Sequence, residues 1–229
     1  MPLDMSNQPE LKLPFESTRA LLAKWRKRDA NKTAIVDLDQ DGKSITWGQI
    51  AAEADRIAQF LNERGVRPGD KVALLSDENI EKLIVWMGIW RYGAAVCPLN
   101  VEMNQVHLVE ILAGIEPTLT LWHTDLDGPS LTAGLKTPSI SFSGWRAAST
   151  GDARSDELFT VLAAYENGTG AGVDSENGPE DLSCIFCTSG TTSKPKSVVY
   201  NHMAYWLNGL NTLDMLGLSE DDKTLEYRS

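Results

Sequence analysis

Between residues 72 and 122 the chain alternates strand-length apolar runs with longer segments of helical period, and few architectures accept that order. Residues 72–75 form a short apolar run. Ile80, Leu83, Ile84 and Met87 then recur at helical spacing, with Asp77 as candidate N-cap and a stop near Gly93. Val85, Trp86, Ile89 and Trp90 make the later half of this helix apolar nearly all round, which implies burial on more than one side. A second strand fits residues 94–99, ending at Pro98 and Leu99. A helix over 105–113, capped by Asn104 and stopped by Gly114 and Pro117, leads to a third strand at 118–122. Near-continuous apolar strands separated by helices are the mark of parallel strands, joined by right-handed crossovers and covered on both faces. The expected fold class is α/β, a parallel-rich β-sheet flanked by helices.

The flanking regions add smaller units. Residues 33–37 and 43–47 are β-rich and separated by Asp39, Asp41 and Gly42, which predicts a small β-hairpin near the N-terminus. Ile50, Ala54, Ile57, Ala58 and Leu61 then follow helical spacing, with Thr46 and Gln49 placed as a capping box and Gly65 as a stop. Residues 128–150 are turn-rich with one strand at 139–142, and 157–165 carries a short helical pattern. The stretch 166–180, rich in Gly, Asn and acidic residues, predicts an exposed linker.

Charge and cysteine content exclude several classes. Lys and Arg total 21 against 32 Asp and Glu, a formal charge of -11, which repels a polyanion and argues against a nucleic-acid partner. The most apolar stretch, 83–90, is interrupted by Arg91 and is far short of the roughly 20 residues that cross a bilayer, so no transmembrane segment is expected. The first ten residues lack a basic cluster followed by an apolar run, so no secretory signal is expected and a cytoplasmic location is. Cys97, Cys184 and Cys187 are too few for a disulfide framework. In a strand, Cys184 and Cys187 point to opposite faces, so this C-x-x-C cannot readily share a metal or a disulfide, and no metal site is expected.

The chemistry concentrates after the linker. A strand-like run at 182–187 feeds Thr188-Ser189-Gly190-Thr191-Thr192-Ser193-Lys194-Pro195-Lys196. Hydroxyls and free backbone N–H groups donate to phosphate oxygens, Gly permits close backbone approach, and Lys supplies compact positive charge. The plain alternative is a solvated Ser/Thr-rich turn between two strands. Its place at a strand end of an α/β sheet, where such folds bind ligands, favours the phosphate reading. Residues 190–197 match the spacing of a Walker loop except that Pro195 replaces the second Gly. The β-rich Val198-Val199-Tyr200 follows where that loop would enter a helix.

Residues 185–196 resemble the signature loop of AMP-forming adenylating enzymes: acyl-CoA synthetases, luciferases and peptide-synthetase adenylation domains. Ile45-Thr46-Trp47-Gly48-Gln49-Ile50 resembles the family's early strand-to-helix signature. Gly88-Ile89-Trp90-Arg91-Tyr92-Gly93-Ala94-Ala95-Val96-Cys97-Pro98-Leu99-Asn100 resembles its helix-Gly-strand-Pro segment. The likeness is strongest to an acyl-CoA synthetase. It implies ATP and Mg²⁺ as cofactors, attack of a small-molecule carboxylic acid on the α-phosphate, release of pyrophosphate, and transfer of the acyl group to coenzyme A. It further implies that Thr188, Ser189, Gly190, Thr191, Thr192, Ser193 and Lys194 orient the pyrophosphate. It implies too that Lys196 neutralises charge developing in the reaction and that His202 supports the site; the plain alternatives are a helix-start His hydrogen-bonded locally and, for Lys194, a solvated surface Lys. Ser193 and Ser197 depart from a pattern in which many members have Gly. The later motifs of the family are missing, so the chain is expected to be the N-terminal part of an incomplete large domain, inactive alone. The expected division is an N-terminal α/β subdomain (1–165), an exposed linker or loop (166–180), and the phosphate-binding loop region (181–229). A non-catalytic nucleotide-binding or interaction module and an amino-acid-adenylating domain are the alternatives, and the oligomeric state stays open.

Overall fold

The structure, a computed structural model, describes residues 14–39, 41–133, 137–145, 157–165, 173–188 and 196–225. Helix α1 (Thr18–Arg28) opens the described chain, its first turn closed by the Ser17 side chain accepting from the Ala20 N–H. Its apolar signal is weak, with Leu22 its buried hydrophobic anchor, and the sequence pattern alone does not reveal it. Strands β1 (Thr33–Asp37) and β2 (Lys43–Thr46) pair antiparallel as the expected hairpin. Helix α2 (Trp47–Glu63) starts on the predicted capping box: Thr46 accepts from the Gln49 N–H, and the Gln49 side chain accepts from the Thr46 N–H.

The alternating region folds as β3 (Lys71–Leu75), α3 (Ile80–Tyr92), β4 (Ala95–Leu99), α4 (Gln105–Ile115) and β5 (Leu119–His123). After it come α5 (Gly128–Thr132), β6 (Ser139–Phe142), α6 (Leu158–Leu162), β7 (Leu182–Thr188), β8 (Lys196–Asn201) and α7 (His202–Leu216). Strands β3 to β8 form one six-stranded sheet in the order β6-β5-β3-β4-β7-β8, parallel throughout except for the antiparallel β7–β8 pair. On one face α2, α3 and α6 cover Val72, Leu74, Val96, Leu121 and Cys184. On the other, α4 and α5 cover Ala73, Leu75, Cys97, Leu99 and Ile185. No helix among the described residues is long and apolar enough to cross a membrane.

Some local expectations are corrected. Helix α3 is capped by Asn79, which accepts from the Lys82 N–H at 2.7 Å, and not by Asp77. Helix α4 runs past Gly114 to a C-cap at Glu116, whose N–H reaches the Leu112 carbonyl with φ at 50°. The turn-rich segment holds the short helix α5, capped by Asp127 with Pro in its first turn. Two glycines of the segment at 88–100 have separate reasons. Gly93 ends α3 at φ 86°, a left-handed conformation that side chains disfavour. Gly88 lies where α3 meets α2, and a Cβ there would sit 2.5 Å from the Ile57 Cβ.

A buried ionic knot ties distant parts together. Asp55 of α2 accepts from Arg91 Nε and from Arg26 Nη2, both at 2.7 Å. Arg91 also donates to the carbonyls of Val173 and Ser175. Within the stretch predicted to be exposed, residues 173–180 therefore differ at two positions: Val173 and Asn177 are buried. Asn177 accepts from the Thr18 N–H at the start of α1, beside a hydrogen bond from Ser17 to Glu176. Residues without helix or strand are held here by satisfying a guanidinium and a helix terminus, which local composition does not report.

Candidate functional site

The crossovers after β3 and β4 leave on opposite faces of the sheet, through α3 and α4 respectively. This is the switch point at whose carboxyl edge open α/β sheets place ligands. Strand β7 lies beside β4 and runs parallel to it, so the Thr188 end of β7 emerges at the same edge. Thr188 and Lys196 are Cα partners across the antiparallel β7–β8 ladder and form the neck of the candidate loop. Ser189, Gly190, Thr191, Thr192, Ser193 and Lys194 lie outside the described residues. Lys196, the first residue of β8, is exposed. A strand follows the loop, which a helix-entering Walker cradle would not allow.

Ser197 sits inside this ladder opposite Cys187, and the two side chains meet at 3.7 Å between Oγ and Sγ. Its extra Cβ therefore faces a cross-strand neighbour at the neck. Cys187 packs on the α4 face of the sheet and Cys184 on the α3 face, as strand geometry requires. Burial pushes the thiols of Cys97 and Cys184 up to about 12, leaving them protonated and poorly nucleophilic.

An aromatic cluster backs β7 on the α3 face. The Trp90 ring lies edge-on to His202 at 5.3 Å and to Tyr205 at 5.1 Å, and Phe186 meets Trp86 at 6.1 Å. The Trp90 Nε1–H donates to the Ser183 carbonyl at 2.9 Å. His202 begins α7, is 4% exposed, and donates its backbone N–H to the Asp181 carbonyl. Its Nε2 is buried with no hydrogen-bond partner among the described residues. Sequence reasoning placed His202 near the loop but not Trp90, whose partner is 93 residues away.

Burial lowers the His202 pKa from 6.5 to about 4, only partly offset by Asp181. As pH falls below about 6.5 the unfolded chain takes up this proton first. The neutral ring's contribution is thus complete above pH 6.5, declines between 6.5 and about 4, and changes no further below. Thermal melts from pH 7.5 to 4 should show a shallower loss of Tm in His202→Gln than in the parent chain. Parallel curves for the two would refute this.

The model of the AMP-binding enzyme family matches residues 22–227. The chain belongs to the AMP-binding enzyme family. Tyrocidine synthase 2 of Brevibacillus parabrevis is 24% identical over 216 residues, which are 93% of this chain and 5% of that protein. ATP-bound MatB from Rhodopseudomonas palustris superposes with a TM-score of 0.68 at 25% identity, covering 87% of this chain and 38% of that one. The anthranilate CoA ligase AuaEII in complex with anthranoyl-AMP shares the fold, with a TM-score of 0.71 at 23% identity over 86% of this chain and 37% of that one. The chain thus spans less than half the length of each of these AMP-binding enzyme relatives.

Proposed function

We propose that this chain is the nucleotide-gripping part of an adenylate-forming ligase, which activates a carboxylic acid with ATP and passes the acyl group to a thiol. The observation that carries the reading is where Thr188 and Lys196, the described residues on either side of 189–195, stand: paired at the carboxyl edge of the sheet, beside the switch point between β3 and β4. Family membership supports the same chemistry.

In this reading Ser189, Thr191, Thr192 and Ser193 hydroxyls, with Thr188 and backbone N–H groups near Gly190, orient the β- and γ-phosphates as the leaving pyrophosphate. Lys194 assists as a second cation. Lys196 carries the positive charge that offsets negative charge building up as the substrate carboxylate attacks the α-phosphorus and the bond to pyrophosphate breaks. ATP is a substrate and brings Mg²⁺ with it. The product is an acyl-adenylate, a mixed anhydride ready for a thiol nucleophile. Coenzyme A is our preferred acceptor, and the cytoplasm the preferred location. Amino-acid adenylation is the second reading, favoured by the match to tyrocidine synthase 2 over nearly the whole chain.

The test is exchange of labelled pyrophosphate into ATP by the full-length protein, across a panel of aliphatic, aromatic, dicarboxylic and amino acids. Exchange that depends on one acid class is expected, and coenzyme A should then release AMP and give the thioester. No exchange with any acid would overturn the adenylation reading. Exchange with amino acids and no thioester with coenzyme A would select the second.

A further inference from the structure

The pairing of β7 with β8 changes register once. Leu182 lies opposite Asn201, but Cys184 lies opposite Tyr200, so two residues advance on β7 while one advances on β8. Ser183 is the extra residue, a β-bulge. Packing records the same event: Leu182 joins the cluster on the α4 face, while Cys184, two positions on, joins the cluster on the α3 face. In an unbulged strand these two side chains would share a face. Ser183 is fully buried, its Oγ has no partner among the described residues, and its carbonyl accepts from Trp90 Nε1 at 2.9 Å.

The shift decides which residues pair at the neck, beside residues 189–195. Continuing the Leu182↔Asn201 register would set Thr188 opposite Pro195, which has no N–H to give the ladder, and Cys187 opposite Lys196. With the bulge, Thr188 faces Lys196 and Cys187 faces Ser197. A one-residue slip turns every following side chain to the other face of the sheet, Lys196 included.

We infer that Trp90 is a positioning residue for the phosphate loop: its indole N–H pins the bulged Ser183 and so fixes the register in which Thr188 and Lys196 form the loop's neck. The ring also touches His202 and Tyr205 of α7, so one side chain of α3 braces the strand before the loop and the helix after it. The register claim stands on geometry alone, whereas its consequence for nucleotide handling rests on the adenylation reading.

Two measurements on the full-length protein separate these. First, Ser197→Cys places a thiol opposite Cys187 in the observed register, and diamide should close a disulfide between positions 187 and 197, itself being reduced to the hydrazine. Adding Trp90→Phe, which keeps a ring and removes the N–H, should lower that cross-link by roughly 5-fold or more. Trp86→Phe, a neighbour that meets Phe186 by ring contact, should leave it unchanged. Equal cross-linking with and without the indole N–H, or none in the Ser197→Cys chain itself, overturns the proposal. Second, Trp90→Phe should lower kcat and raise KM for ATP, each about 10-fold, in pyrophosphate exchange, with the KM for the acid within about 2-fold. A general loss of folded protein would lower kcat alone and leave both KM values in place, which refutes the positioning role. A parent protein that exchanges no pyrophosphate would sink the adenylation reading and leave the cross-link to decide the register.

Discussion

Lys196→Ala should reduce kcat/KM for acid-dependent pyrophosphate exchange by about 10²- to 10³-fold, the range seen when one preorganised donor to a developing charge is removed. The expectation follows from where Lys196 stands. It opens β8 opposite Thr188, at the carboxyl edge of the sheet and next to the proposed phosphate loop. It is also exposed, so truncation leaves no cavity and should change the free energy of unfolding by no more than about 0.5 kcal/mol. Activity and stability therefore separate cleanly for this variant. Lys196→Arg keeps the charge but spreads it over a planar fork, and should recover part of the lost rate. Because the charge it offsets is greatest in the transition state, most of the loss should fall on kcat. A decrease below about 3-fold, with the urea midpoint unmoved, would remove Lys196 from the reaction.

The elements that sequence reveals are those whose signal is local and periodic. The apolar runs of β3, β4 and β5, the Thr46–Gln49 capping box and the Gly93 stop each depend on neighbours within a turn or a strand, and each is where the pattern puts it. The loop is proposed on residue type alone, from hydroxyls, Gly and Lys after a strand, and residues 189–195 lie outside the described ones. The pairing that frames it is not legible locally. A period-two reading of 182–187 puts Leu182 and Cys184 on one face, and the bulge at Ser183 separates them because a tryptophan 93 residues away supplies the hydrogen bond. Helix α1 escapes for a similar reason. It buries little of itself, and its N-terminal N–H groups are met by its own Ser17 and by Asn177, some 159 residues downstream. Asp77 and Asn79 are equally good caps by type, and only the start of the helix at Ile80 distinguishes them.

Asp55→Ala should cost about 3–5 kcal/mol of unfolding free energy, the largest stability effect expected of a single polar substitution here. Its carboxylate, with the side chain 11% exposed, stands between Arg91, 5% exposed, and Arg26, 41% exposed. Removing it strands the buried Arg91 guanidinium with, among the described residues, only the Val173 and Ser175 carbonyls as acceptors. Burying an uncompensated cation is far more costly than losing the pair's net attraction, because the interior cannot resolvate it. Arg26→Ala removes the half-exposed partner, which water can replace, and should cost no more than about 1 kcal/mol. Replacing both buried members, as in Asp55→Leu with Arg91→Met, should restore most of the stability lost by Asp55→Ala, since apolar groups of similar volume carry no desolvation debt. Urea unfolding of the three variants measures all of this, and a loss below about 1 kcal/mol for Asp55→Ala would mean that Arg91 reaches water when its partner is gone. The knot also restrains residues 173–177 just upstream of β7, so even folded Asp55→Ala protein should lose protection from hydrogen exchange first in that segment, before α2 or β3. The arginine that interrupts the longest apolar run of the sequence is thus the group that holds α2, α3 and the approach to the loop together.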